Sequence, residues 1–270
     1  MTEQSPPRME LESEQYFQFE ISNRDQALFM IEERDIEAQL IAIKSVLRRN
    51  REVDEAVAER IRRLDAEIRT SSRDFDDYQM RRQDRCVDAL YDSIFQDAAH
   101  SMAAVGMLAP LIESLFVSIF DGLRRRRLQH GHGDSGDPRR SMSEVEFWDP
   151  HFVFEKGGRR TNLVQGVAQL ADSVGISQYL PDDCSTVLAA LFAYRNKMFH
   201  HGFEWPADEL KKFSNRISSE GWPQIWFEES ERDNTTWIYY MSPLFVDRCV
   251  ALVDEILEGV GRFLADRGPG

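Results

Sequence analysis

The sequence predicts a mainly α protein: a helical bundle with a long N-terminal helical extension of coiled-coil character and one small β-hairpin. Three observations carry this. From residue 24 to about 127 the chain is almost free of proline and glycine. Apolar residues recur there mostly at intervals of three and four with charges between them, as in amphipathic helices. Near the C-terminus, IWFEES and TTWIYYM, joined by ERDN, have the aromatic and β-branched content of a two-stranded hairpin. With 270 residues, 42% of them hydrophobic, the chain can bury one sizeable core, which excludes a wholly disordered protein.

Taken in order, residues 1–23 lack a consistent period and are rich in Glu, Ser and Pro, so they read as a loose N-terminal segment. The helical extension occupies residues 24–84. Its seam runs through Ile36, Leu40, Ile43, Leu47, Val53, Val57, Ile61, Leu64 and Ile68. Asn50 sits on that seam, where it either sets register in a coiled coil or marks a break between two antiparallel helices. Residues 85–270 form the bundle. Within it MLAPLIESLFVSIFDGL is a core helix with a start or kink at Pro110. QHGHGDSGDP is a loop, and its His130 and His132 read as solvent-exposed rather than as metal ligands; no metal and no other cofactor is expected.

A short helix covers Asn162 to Val174, and LPDD opens the next one, Cys184 to His200. Gly202 suits the position just past that helix, and Pro206 the first turn of ADELKKFSNRI. The hairpin falls at about 224–241, and helical spacing returns from Pro243 to Phe263.

Charge and cysteine usage narrow the function. A net charge of −14 argues against diffuse binding to nucleic acid, whose affinity comes mainly from counterion release, so any such contact must be local. Basic residues concentrate at Arg124 to Arg127, with Arg139 and Arg140 nearby, and at Arg159 and Arg160. The first run either complements a helix C-terminus or touches RNA. Arg124, Arg125, Arg159 and Arg160 are the candidate RNA contacts. Cys86, Cys184 and Cys249 are far apart, which suggests neither a zinc site nor a disulfide framework. No apolar run approaches the roughly 20 residues needed to cross a bilayer, and the start is acidic, so a cytoplasmic protein without membrane contact is expected.

Along Cys184 to His200 the inward stripe runs Cys184, Val187, Leu188, Leu191, Arg195, Met198. A buried guanidinium without a partner costs several kcal/mol, so Arg195 needs a carboxylate or an anionic ligand opposite it. Glu113, among Leu111, Ile112, Leu115 and Phe116, is the expected carboxylate, and a purely structural role for that pair is the alternative. Asn196 and His200 share a helical face, whereas Arg195 and His200 stand about 140° apart on a regular helix. Their convergence requires a loosened last turn, which Gly202 permits.

RNKMFH matches the RNxxxH pattern of HEPN-like domains (higher eukaryotes and prokaryotes nucleotide-binding), and LAALFAYRNKMFHHG resembles their motif helix. The resemblance covers roughly Val87 to the C-terminus, and neither the N-terminal extension nor the hairpin is part of it. It implies a HEPN-like bundle that forms a homodimer through the motif helix and cleaves RNA without metal. Bacterial toxins and antiviral defence effectors are the usual setting, with an antitoxin or defence protein as a further partner. Arg195, Asn196 and His200 would be the catalytic residues: Arg195 on phosphate oxygens, Asn196 orienting, His200 moving protons, with Glu113 and His201 in support. A histidine at a helix C-terminus is favoured in its charged form, which suits an acid. His201 either substitutes for it or faces solvent. The alternative is a non-catalytic helical dimer that binds nucleotide or RNA, or scaffolds partners.

Overall fold

The computed structural model describes residues 21–31, 34–70, 77–126 and 138–267. Most of the loose segment 1–23, Arg127, and the loop histidines His130 and His132 lie outside the described residues.

Helix α1 (Asn23–Met30) starts where Ser22 accepts from the Asp25 amide, a capping arrangement that satisfies one of the first-turn donors. Helices α2 (Ile36–Thr70) and α3 (Asp77–Arg125) are the longest elements. Arg82 pairs with Glu67, and Gln96 and His100 both reach Asp54. Partner numbers fall on one helix as they rise on the other, so α2 and α3 run antiparallel within one chain. Asn50 lies inside the unbroken α2. The helix break considered there is therefore absent, and the chain reverses between α2 and α3 instead. Helix α3 also crosses residues 84 and 85 without interruption, so extension and bundle share one helix.

Pro110 neither starts nor stops α3. It is an exposed residue inside the helix. The other face of α3 is the spine of the core, through Val105, Leu108, Ile112, Leu115, Phe116, Ile119, Phe120 and Leu123. Contrary to the reading of its apolar runs, α3 contains a stretch apolar and long enough to cross a membrane. That stretch contains the charged residue Glu113. Of its most apolar window, 56% is buried against the rest of the bundle, as in a core helix.

Helix α8 (Pro243–Asp266) packs beside α3 with proline in its first turn and Ser242 as its cap. Helix α1 lies on α8 so closely that a Cβ on Gly261 would fall on the Asn23 carbonyl. Between them in sequence come α4 (Glu144–Phe147), a hairpin of β1 (Phe152–Glu155) and β2 (Gly158–Thr161), α5 (Leu163–Val174), α6 (Cys184–His201) and α7 (Ala207–Ser219). A second hairpin, β3 (Phe227–Arg232) and β4 (Thr235–Met241), precedes α8.

Two hairpins are thus present where one was expected. The second is the expected one: Asp233 and Asn234 turn with φ of 54° and 58°, the pair of positive angles a two-residue hairpin turn requires. The first escapes a periodicity reading because its strands have four residues each and β2 is exposed throughout. It places Arg159 and Arg160 side by side on a strand.

Candidate functional site

Helix α6 turns Tyr194, not Arg195, onto the core. Both positions lie within one helical step of the stripe through Leu191 and Met198, and the aromatic side chain takes the interior place. Tyr194 is fully buried, packs near Trp205, Phe213 and Phe227, and donates its hydroxyl to the Tyr239 carbonyl at 3.0 Å. Arg195 is consequently only half-buried, which corrects the expectation of a buried guanidinium.

The Arg195 Nη1 lies 3.4 Å from Asn196 Oδ1, and its guanidinium sits 6.0 Å from the centroid of the Phe199 ring. Among the described residues it forms no ion pair. Arg195 and Asn196 line a groove of about 620 Å³ together with Glu113, His151, Asn162, Arg216 and Glu220. Arg216 is held there by Glu220 at 2.6 Å and by the Trp222 ring.

Glu113 lines this groove, but its partner is His151 at 3.1 Å and not Arg195, the partner expected for it. The His151 Nδ1 lies 2.8 Å from Asp149 Oδ1, which also accepts the His151 amide at 2.9 Å. Burial opposes a charge on His151; its hydrogen bonds to Asp149 and Glu113, with their charges, outweigh it and raise the imidazole above its ordinary pKa. His151 carried no helical or motif context in the sequence. A histidine two residues after an aspartate was the only signal for it.

What holds this segment is Arg139, read from sequence as part of a basic cluster but wholly buried in the fold. It donates to the carbonyls of Phe147 (2.6 Å), Asp149 (3.2 Å), Phe152 and Gly166 (3.2 Å), and to Gln169 Oε1 at 2.9 Å. The guanidinium therefore braces the chain on both sides of His151. Gly166 completes the clamp: a Cβ there would fall on the Pro150 carbonyl, so α5 approaches the segment more closely than any other residue would allow.

His200 and His201 are exposed at the end of α6, with ring centroids 6.5 Å apart, and neither lines the groove. Gly202 does end the helix with φ 71°, yet the last turn stays helical and His200 does not swing toward Arg195. Phe199, 59% exposed, projects beside Gly106 of α3. Lys197 pairs with Glu209 of α7. The carboxyl of Glu209 is held down to about 2 by Lys197 and Lys212.

Of the candidate RNA contacts, Arg124 and Arg125 line a second groove of about 540 Å³ with Arg34, Asp121 and Asp149, and His151 is common to both grooves. Arg124 reaches Asp121 at 2.5 Å and Arg125 reaches it at 3.6 Å. Arg159 pairs with Glu146 at 3.0 Å and lies over the Phe152 ring, while Arg160 pairs with Glu155 at 2.8 Å and with Gln165. These two flank the motif groove rather than line it.

Comparison with protein-family models, with curated proteins and with solved structures finds no match for this chain. A guanidinium without a carboxylate partner among the described residues, an amide beside it, and an imidazole between two carboxylates form a set able to hold an anion and move a proton next to it.

Proposed function

We propose that the chain is a HEPN-like, metal-independent endoribonuclease that works in the cytoplasm as a homodimer, in a toxin or antiviral defence setting. The observation that carries the reading is Arg195: half-buried on the wall of a groove, one position from Asn196, with no ion pair inside the described chain. Its fork suits two oxygens of a phosphate, and Asn196 can orient a third. The neighbouring groove, where Arg34 stands with Arg124 and Arg125 against Asp121 and Asp149, is the local basic site such an acidic protein would use on RNA.

A single copy leaves His200 outside the groove. Docking of a second copy against Phe199 and the adjacent face of α3 would carry a histidine of one chain toward the arginine of the other, which gives the dimer its chemical purpose. RNA cleavage then proceeds by attack of the 2′-hydroxyl on the adjacent phosphorus, with positive donors on the phosphorane oxygens.

The test is incubation of the purified protein with end-labelled RNA in excess chelator, beside Arg195→Ala and His200→Ala. Each substitution is expected to lower cleavage by about 100-fold or more. Cleavage that survives both would remove the motif from the mechanism. The position of His200 outside the groove favours a second reading, a non-catalytic dimer that binds RNA or nucleotide. Under it, Arg195→Ala abolishes binding and no variant or wild-type preparation cleaves.

A further inference from the structure

Cleavage of RNA by its own 2′-hydroxyl needs two proton transfers, and the motif supplies one histidine per chain. The groove holds another. We propose that His151 is the acid that protonates the departing 5′ oxygen, in the groove that Arg195 and Asn196 share with it. This assignment rests on the nuclease reading above and adds a catalytic residue to it.

The geometry supports it in three ways. The ring is reachable, with 39% of the side chain exposed, and it opens on the same groove as Arg195 and Asn196. Its orientation is held at Nδ1 by Asp149, whose same oxygen also takes the His151 amide, so ring and main chain are set by one carboxylate. Such a carboxylate behind an imidazole orients it and stabilises its charged form. The segment itself cannot drift, because Arg139 grips the carbonyls of Phe147, Asp149 and Phe152 around it.

The charged groups around the ring come from several elements, Arg216 of α7 and Glu220 just past it among those on the same groove. Glu113 on α3 meets Nε2 at 3.1 Å, Asp149 on the ring's own segment meets Nδ1 at 2.8 Å, and Arg195 of α6 lines the same groove. On the other side lie Asp121, Arg124 and Arg125 of α3 and Arg34. The two touching carboxylates keep the imidazolium form, the state an acid must start from. With His151 as the acid, the motif histidine His200 is left the role of the base.

In the step, the 2′-hydroxyl yields its proton to the base while its oxygen bonds to phosphorus. The bond from phosphorus to the 5′ oxygen breaks, and that oxygen takes the proton of His151 Nε2 in place of Glu113. The products are a 2′,3′-cyclic phosphate and a 5′-hydroxyl, with no other reactant consumed.

The experiment uses DNA oligonucleotides with a single ribonucleotide, which defines the scissile bond. One series has the ordinary 5′ oxygen there and the matched series a bridging 5′ sulfur, whose thiolate leaves without protonation. His151→Ala and His151→Gln are expected to lose about 100-fold or more on the oxygen substrates and to come back near wild type on the sulfur ones. His200→Ala stays slow on both. For the wild-type protein, which needs no folding control, cleavage of the oxygen substrates falls at alkaline pH, and the sulfur series lacks that limb. Variants as fast as wild type, variants equally slow on both series, or wild-type alkaline limbs of the same shape on both, overturn the assignment and leave the nuclease standing. Absence of any cleavage by wild type overturns both.

Discussion

The Tyr194 hydroxyl donates to the Tyr239 carbonyl at 3.0 Å in the fully closed core, tying α6 to β4. With Tyr194 turned inward, Arg195, one position on, lies on the groove wall. Tyr194→Phe keeps the ring and strands one buried acceptor, so a loss of about 1–2 kcal/mol is expected. Thermal unfolding of the two proteins, with a melting temperature lower by several degrees in the variant, checks this.

Arg139 is buried among four carbonyls and an amide oxygen. Arg139→Leu leaves all five without that donor, and the cost should exceed about 3 kcal/mol. Urea denaturation would show a lower midpoint at an unchanged slope. A variant as stable as wild type would mean that these acceptors find other donors.

Glycine at 166 is demanded by the close carbonyl of Pro150, whereas a Cβ at Gly157, in the turn of the first hairpin, meets nothing within 4 Å. Gly166→Ala should therefore cost about 1–3 kcal/mol through overpacking and displace the His151 segment, while Gly157→Ala stays within a few tenths. Calorimetry on the pair tests the contrast.

Asp97 lies in a cleft between α2, α3 and the second hairpin, with Asp54, Glu228, His100, Arg51 and Tyr240 around it. Burial, and then the charges of Asp54 and Glu228 against the opposing effect of His100, push its carboxyl up to about 6. A raised carboxyl stabilises the fold in its protonated form. That contribution is complete below the ordinary value of 3.8 and is lost as the pH rises through about 6. Asp97→Asn should accordingly be more stable than wild type above pH 6, with the difference shrinking toward pH 4. Equal stability of the two proteins at pH 7.5 would contradict the shift.

Phe199 is 59% exposed beside Gly106 and next in sequence to His200. Under the dimer proposal, Phe199→Asp shifts sedimentation from dimer to monomer and lowers cleavage most at low protein concentration. A wild-type protein that sediments as a monomer at every concentration would refute it.

Legibility from sequence differed by feature. The ends of α5, the C-terminal end of α6 and the start of α8 were readable because Asn162, Gly202 and Pro243 act on the backbone next to them. The second hairpin was readable from its aromatic run and Asp233-Asn234 turn. The first hairpin was not, since eight residues with one exposed strand leave no alternation to detect. Arg139 read as surface charge because composition cannot show that five acceptors surround it.

The sequence by itself determined the α-rich content, the N-terminal half of the α2 seam through Ile36, Leu40 and Leu47, the approximate extents of α5 to α8 and the location of the RNKMFH segment, whereas Val53, read as part of that seam, is exposed. These follow from spacing and from the conformational limits of single residues. Only the tertiary structure decided that Tyr194 and not Arg195 turns inward, that α2 folds back on α3, and that Glu113 meets a histidine 38 positions away. Helical period leaves two adjacent residues nearly equivalent toward a core, and a contact between distant segments exists only once packing has chosen between them.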